Sequence, residues 1–205
     1  MDRAFTIQCH DALATSLGPV PVGRIQEQAP GVRLRVLAEH STDTDDLRQG
    51  RVDLELGGDR PSLPEFRSET LGHDPLVVAM RPAHPCADGL DLHSYAAQPH
   101  VLVSRRGRLT APIDDVLAAE GLRRRVVAAV AMALRTAGRR DVLVTSTENL
   151  SRPLIEAFGL ITRPLPVESP PAVINCNRHQ RCDSDPAHAW LRDQVRASLA
   201  EIVTG

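Results

Sequence analysis

The chain has 205 residues, 42% hydrophobic and 24% charged, with a formal net charge of −2. A protein of this length buries roughly 70% of its unfolded surface, enough for one sizeable domain or two small ones without disulfides or metal. All 24 basic residues are Arg and 26 carboxylates oppose them, so no net positive field exists to hold nucleic acid through its phosphates. No apolar run approaches the span of a bilayer, and Met1-Asp2-Arg3-Ala4-Phe5 lacks the basic start and apolar middle of a signal peptide, so a cytoplasmic protein is expected.

Ala4 to Cys9 predicts a strand with Phe5, Ile7 and Cys9 on one face. His10-Asp11 supplies a cap for one helix that runs through Pro19 and Pro21 and stops at Ala29-Pro30-Gly31. Val32 to Ala38 alternates with period two and predicts a second strand. Ser41 or Thr42 caps a short acidic helix closed by Gly50, and Val52 to Gly57 forms a third strand. This alternation is the pattern of parallel α/β architecture.

After Pro61 and Pro64 the theme repeats. Strands are expected at Leu76 to Met80, His100 to Val103, Arg125 to Val130 and Asp141 to Thr145, with helices at Leu92 to Ala97, Ile113 to Glu120 and Met132 to Ala137. Ser146 or Thr147 is placed to cap the next helix. Leu160 to Leu165 and Ala172 to Asn177 are extended. Asp185-Pro186 then starts a helix whose stripe of Ala187, Trp190, Leu191, Val195, Leu199 and Ile202 makes Trp190 a packing residue.

Chemistry-bearing motifs are scarce. The chain contains no GxSxG elbow, Walker loop, HExxH helix or GxGxxG fingerprint, so neither an enzyme nor a cofactor-dependent protein is expected. Cys9, Cys86, Cys176 and Cys182 form no CxxC pair and are read as buried or partly buried thiols; a zinc site from Cys176, His179, Cys182 and His188 is disfavoured because successive residues of a strand ending here point to opposite faces. Arg123-Arg124-Arg125 and Arg105-Arg106 with Arg108 are read as solvated charge. In open parallel sheets ligands bind beyond the carboxyl ends of the strands. Those ends carry His10, Asp11 and Ala12; His40 and Ser41; Gly57-Gly58; Ser104 and Arg105; and Ser146-Thr147, a set suited to a small polar or anionic ligand.

The ordered combination of RAFTIQCHD, APGVRLRV, GRVDL, LVVAMRPAHP, HVLVSRRG and DPAHAWLR resembles the effector-binding domain of LysR-type transcriptional regulators, from Arg3 to about Val203. The resemblance implies an α/β fold like that of type 2 periplasmic binding proteins, with two Rossmann-like subdomains joined by two crossover segments and an effector in the cleft between them. Subdomain I is placed at residues 1–77 and 164–205 and subdomain II at 78–163, with hinges near Val77 to Met80 and Leu160 to Arg163. Effector contacts carried over by position fall on His10, Asp11, Ala12, His40, Ser41, Gly58, Ser104, Arg105 and Thr147. The effector implied is a small aromatic or carboxylate-bearing molecule. An antiparallel homodimer is implied too, with DNA contacted only through a winged helix-turn-helix that this chain lacks ahead of Arg3. The rival reading is a transport-type solute-binding protein of the same fold. Against the family pattern, the stretch Val126 to Asp141 is short, and Arg178 stands before His179 where relatives carry an aromatic; Arg178 is read as reaching solvent.

Overall fold

The computed structural model describes residues 2–38, 45–104 and 107–204. In chain order the elements are β1 (Arg3–Cys9), α1 (Asp11–Leu17), α2 (Pro19–Gln28), β2 (Val32–Ala38), α3 (Asp45–Gln49), β3 (Leu54–Gly57), β4 (Phe66–Asp74), β5 (Leu76–Met80), α4 (Leu92–Ala97), β6 (Pro99–Val103), α5 (Pro112–Ala119), β7 (Arg125–Val130), α6 (Ala133–Ala137), β8 (Val144–Thr147), α7 (Arg152–Ala157), β9 (Ile161–Pro164), β10 (Ala172–His179) and α8 (Pro186–Thr204). They divide into two compact units, residues Met1–Asp74 with Ala172–Gly205, and Pro75–Pro171. The segments expected as hinges are strands inside the second unit: β5 and β9 pair antiparallel, Val77 opposite Pro164 and Met80 opposite Ile161. The chain passes between units at Asp74-Pro75 and Pro171-Ala172 instead.

The first unit is built on a five-stranded sheet of order β2-β1-β3-β10-β4. β1 runs parallel to β2 and β3, as the alternation of strands and helices requires. β10 runs antiparallel to β3 and β4, so the sheet is mixed. Phe5, Thr6, Ile7, Gln8 and Cys9 are all buried, the signature of a central strand covered on both faces rather than one with a solvent side. The Asp53 carboxylate accepts from the Thr6 amide (2.7 Å) while the Asp53 amide donates to the Thr6 carbonyl (2.8 Å), which ties the loop before β3 onto β1.

The single helix expected after β1 is two. It breaks at Gly18, and Pro19 takes the first position of α2, where its missing N–H has no intrahelical role. A Cβ on Gly18 would stand 2.8 Å from the Ala14 carbonyl oxygen, so the turn needs glycine. At the far end of the unit Asp185 caps α8, accepting from the amides of Ala187 (2.9 Å) and His188 (3.2 Å) and pairing with Arg3 (2.5 Å). Leu191, Val195 and Leu199 of its stripe are buried, whereas Trp190 is half-buried. His188 and Ser198 complete the buried face; being polar, they are invisible to an apolar periodicity.

The second unit holds an antiparallel sheet of order β8-β5-β9 and a parallel pair β6-β7. The two are stitched by the Val101 amide to the Leu143 carbonyl (3.0 Å) and the Leu143 amide to the Pro99 carbonyl (2.9 Å). One face of β5 packs Val77 and Ala79 with Val101, Leu134 and Val144. The other packs Val78 and Met80 with Tyr95, Ile113, Leu117 and Leu143. β7 ends at Val130 and α6 begins at Ala133, so the connection shortened in sequence is short in space.

Arg124 departs from the expectation of a solvated arginine run. Its side chain is wholly buried, its Nε lies 2.7 Å from Asp114, and it donates to the Tyr95 hydroxyl (3.2 Å). His100, also fully buried, sits against Tyr95 with ring centroids 4.5 Å apart and Nε2 2.7 Å from the Tyr95 carbonyl. Burial lowers its pKa to about 4, the hydrogen bond to Tyr95 opposing the shift without reversing it. A histidine whose folded pKa lies below its unfolded value favours the fold in the neutral form. That stability is complete above about pH 6.5 and is lost as pH falls toward about 4. His84 and His188 are shifted downward too, chiefly by burial. Urea midpoints should therefore fall between about pH 7 and pH 5, and His100→Asn should flatten that slope. A midpoint constant across the window would contradict a neutral, buried His100.

Candidate functional site

In the first unit β1 and β3 are parallel neighbours, with Cys9 opposite Leu56, so His10 and the Gly57-Gly58 pair lie at the same carboxyl edge. His10 occupies the N-cap of α1 with extended backbone (φ −76°, ψ 163°), and its Nδ1 accepts from the Leu13 amide at 3.4 Å. Asp11 and Ala12 open the helix, where the first amides lack intrahelical acceptors and the helix end is electropositive. Gly58 begins the loop after β3, and its carbonyl accepts from Asn175 Nδ2 (2.9 Å). His40 and Ser41 lie outside the described residues.

A polar cluster that sequence reasoning missed holds this edge. Asn175 and Asn177 on β10 are buried; Asn177 Nδ2 donates to the Asp59 carbonyl (3.0 Å) and its Oδ1 accepts from Ser68 (2.6 Å). Asn175 Oδ1 accepts from Thr70 (2.9 Å) and from Arg60 Nε (3.2 Å), and Arg60 also reaches the Thr70 hydroxyl. Two asparagines at alternate positions of Ala172 to Asn177, an otherwise apolar strand, were the available signal: same-face polar residues in a buried strand need partners. Here the partners are the loop carrying Gly58 and Asp59.

In the second unit β6 and β8 run parallel through the His100–Leu143 bridge, so Ser104 and Thr147 lie at one carboxyl edge. The Ser104 amide donates to the Val130 carbonyl (3.1 Å) and its Oγ accepts from the Arg108 amide (2.9 Å). Ser104 is thus engaged by backbone rather than by an imidazole base. Neither Ser146 nor Thr147 caps α7; Ser151 takes that position, and both hydroxyls lie against Ser151 Oγ at 2.6 and 2.9 Å. Because Ser151 is fully buried, its Oγ satisfies these upstream hydroxyls instead of the helix amides. Arg105 lies outside the described residues.

The same edge carries a pocket of about 550 Å³. Antiparallel pairing brings the start of β5 at Leu76, the end of β8 at Thr147 and the end of β9 at Pro164 to one level. Glu148, Thr162, Arg163, Glu168 and Ser169 supply its polar side chains, and Leu76 and Leu165 are among its apolar ones. None of these residues belongs to the sequence-predicted set, because their grouping depends on the β5–β9 pairing.

Away from these edges, Arg178 does not simply reach solvent: its Nε lies 2.9 Å from Asp183 and its side chain is only 17% exposed. Cys9, Cys86 and Cys176 are buried and Cys182 is half-buried, in line with the expectation of buried or partly buried thiols. Burial pushes the Cys176 thiol up to about 12, so it stays protonated and unreactive.

Comparison with known proteins places this arrangement. The family model for the LysR substrate binding domain matches residues 2–200. The HTH-type transcriptional regulator SyrM of Rhizobium meliloti (strain 1021) is 27% identical over 200 residues, covering 95% of this chain and 61% of that protein. The SyrM of Rhizobium etli is 25% identical, with 60% of its length covered, so the chain spans about three fifths of these curated relatives. Among solved structures, the probable transcriptional regulator PA0477 from Pseudomonas aeruginosa has a TM-score of 0.83 at 34% identity, over 95% of this chain and 66% of that one. The regulatory domain of MexT, a transcriptional activator in Pseudomonas aeruginosa, has a TM-score of 0.84 at 24% identity over 97% and 98% of the two chains. The fold is therefore the type 2 periplasmic-binding-protein-like α/β fold, two Rossmann-like subdomains joined by two crossover segments. With its family model matching nearly end to end, the chain belongs to the substrate-binding domain family of LysR-type transcriptional regulators.

Proposed function

We propose that this domain senses a small aromatic or carboxylate-bearing effector and passes its occupancy to a DNA-binding module in the cytoplasm. The observation that supports this most is the placement of small and polar residues at carboxyl strand edges: His10, Asp11, Ala12 and Gly58 in the first unit, Ser104 and Thr147 in the second. Their hydrogen bonds go to backbone amides, carbonyls and hydroxyls, which fixes a binding surface without activating a nucleophile. His40, Ser41 and Arg105 belong to the same proposed contact set. An effector with different affinities for two conformations shifts the population between them, and the difference in affinity sets the size of the shift.

The domain is proposed to act as a homodimer. Two sheet edges support it: β2 is an edge strand with Val36 and Leu37 exposed, and β7 is another with Val127 and Val130 exposed. Such edges and apolar residues favour pairing with a second chain. No described helix is long and apolar enough to cross a membrane.

Thermal melting with a panel of small aromatic and aliphatic acids tests the sensing role. A specific effector at a hundredfold over its Kd adds about 2.7 kcal/mol of stability. His10→Ala and Ser104→Ala should each weaken that effector about tenfold or more while leaving the unliganded melting point within a few degrees. Retained affinity in both variants would show that the effector binds elsewhere.

A further inference from the structure

We infer that the pocket at the β5–β8–β9 edge of the second unit is a site for a ligand carrying both a cationic amine and a carboxylate, the chemical class of a free amino acid. The inference rests on the effector-sensing reading above and names the ligand class for this part of it. Arg163, Glu148 and Glu168 all line the pocket, so it contains both signs of charge. Among the described residues these charges do not neutralise one another: the Arg163 guanidinium donates to the Thr162 carbonyl (2.9 Å), and no ion pair joins it to either glutamate. Opposite charges held in one concavity but not paired to each other present complementary ends to a dipolar ligand. The guanidinium offers a planar fork of donors to a carboxylate, and a glutamate accepts from an ammonium.

The rest of the lining fits the same class. Leu76, Val77, Leu165 and Val167 provide an apolar wall for a side chain, and Ser169 adds a hydroxyl. The volume of about 550 Å³ suits a small molecule and is too small for a folded partner. A pure acid would leave the two glutamates facing its charge, and a pure amine would leave Arg163 unmatched, so the pocket discriminates against both.

The test uses matched six-carbon probes on the intact chain by calorimetric titration, after a melting screen of the standard L-amino acids. Norleucine carries both groups, hexanoate only the acid and hexylamine only the amine. The zwitterionic class should bind at least tenfold more tightly than either single-charge analogue. Arg163→Gln should abolish that preference over hexylamine, and one of Glu148→Gln and Glu168→Gln should abolish it over hexanoate. Equal binding of hexanoate and norleucine, absence of response to every amino acid, or indifference to Arg163→Gln would overturn the inference. A simple acid that binds through His10 and Ser104 but ignores Arg163 would sink this inference and leave the sensing role standing. Silence toward every class of ligand would defeat both.

Discussion

Replacing Asp114 by alanine should destabilise the second unit by about 3 kcal/mol or more, because it strands a wholly buried guanidinium without its counter-charge. Asp114 serves two partners. One oxygen lies 2.7 Å from Arg124 Nε, and the other accepts from the Ala111 amide (2.6 Å) at the start of α5 and from Arg124 Nη2 (3.1 Å). The Arg124 side chain has no exposure, whereas Asp114 keeps 26%, so losing the carboxylate costs more than losing the arginine. Arg124→Met, which keeps the apolar stem, should cost less. The double variant Asp114→Ala/Arg124→Met should be more stable than Asp114→Ala alone. Chemical denaturation of the four proteins gives the coupling energy directly, and additive losses would mean the pair is not an interacting unit. Burial alone would raise the Asp114 carboxyl, but the hydrogen bonds from Arg124 and the Ala111 amide, with the Arg124 charge, outweigh it and hold the group below the usual carboxylate range. A depressed carboxylate contributes stability above its unfolded pKa, about 3.9, and loses it as pH falls through the folded value. This loss begins at lower pH than that of His100, so acid unfolding should proceed in two slopes.

Phe5→Ala should cost the first unit about 3–5 kcal/mol. The chain has 3 Phe, 1 Tyr and 1 Trp, and of these Phe5, Phe66 and Tyr95 are buried, so few large rings are available to fill core. Phe5 is completely buried on β1, meets His188 edge-on with centroids 6.5 Å apart, and lies 4.7 Å beneath the Arg3 guanidinium. Its removal leaves a cavity at the junction of β1 and α8 and takes away the ring against which His188 is held. Because the chain forms two compact units, a global melting point is a blunt readout. Amide hydrogen exchange resolves the effect. Protection should drop across β1, β2, β3 and α8 while β5, β6 and β8 keep theirs, and uniform loss through both units would refute a localised cost.

Local pattern was legible in the sequence, and pairing was not. The helix Leu92 to Ala97 and the strand Arg125 to Val130 appear at their expected bounds, because periodicity and capping act over a few residues. The direction of β10, the pairing of β5 with β9 and the crossing points at Asp74 and Pro171 depend on contacts far apart in the chain. Arg124 shows the same limit from the side of charge. Within Arg123-Arg124-Arg125 the partners Asp114, ten residues upstream, and Tyr95 distinguish the middle residue from its neighbours. Of the candidate site, the strand-end positions of His10 and Gly58 were readable from the alternation of strands and helices, since β1 and β3 pair in parallel and end at one edge. The supporting Asn175 and Asn177, and the pocket around Arg163, arise from strands that return from other parts of the chain.

In the proposed reading, this domain binds its effector with the carboxyl-edge residues of its strands. Backbone amide NMR shifts during titration with an acid or amino acid that raises the melting point test it most directly. The amides of Ala12, Gly58, Ser104 and Thr147 should move along a common saturation curve. Shifts confined to residues away from these edges, with those four amides still, would contradict it.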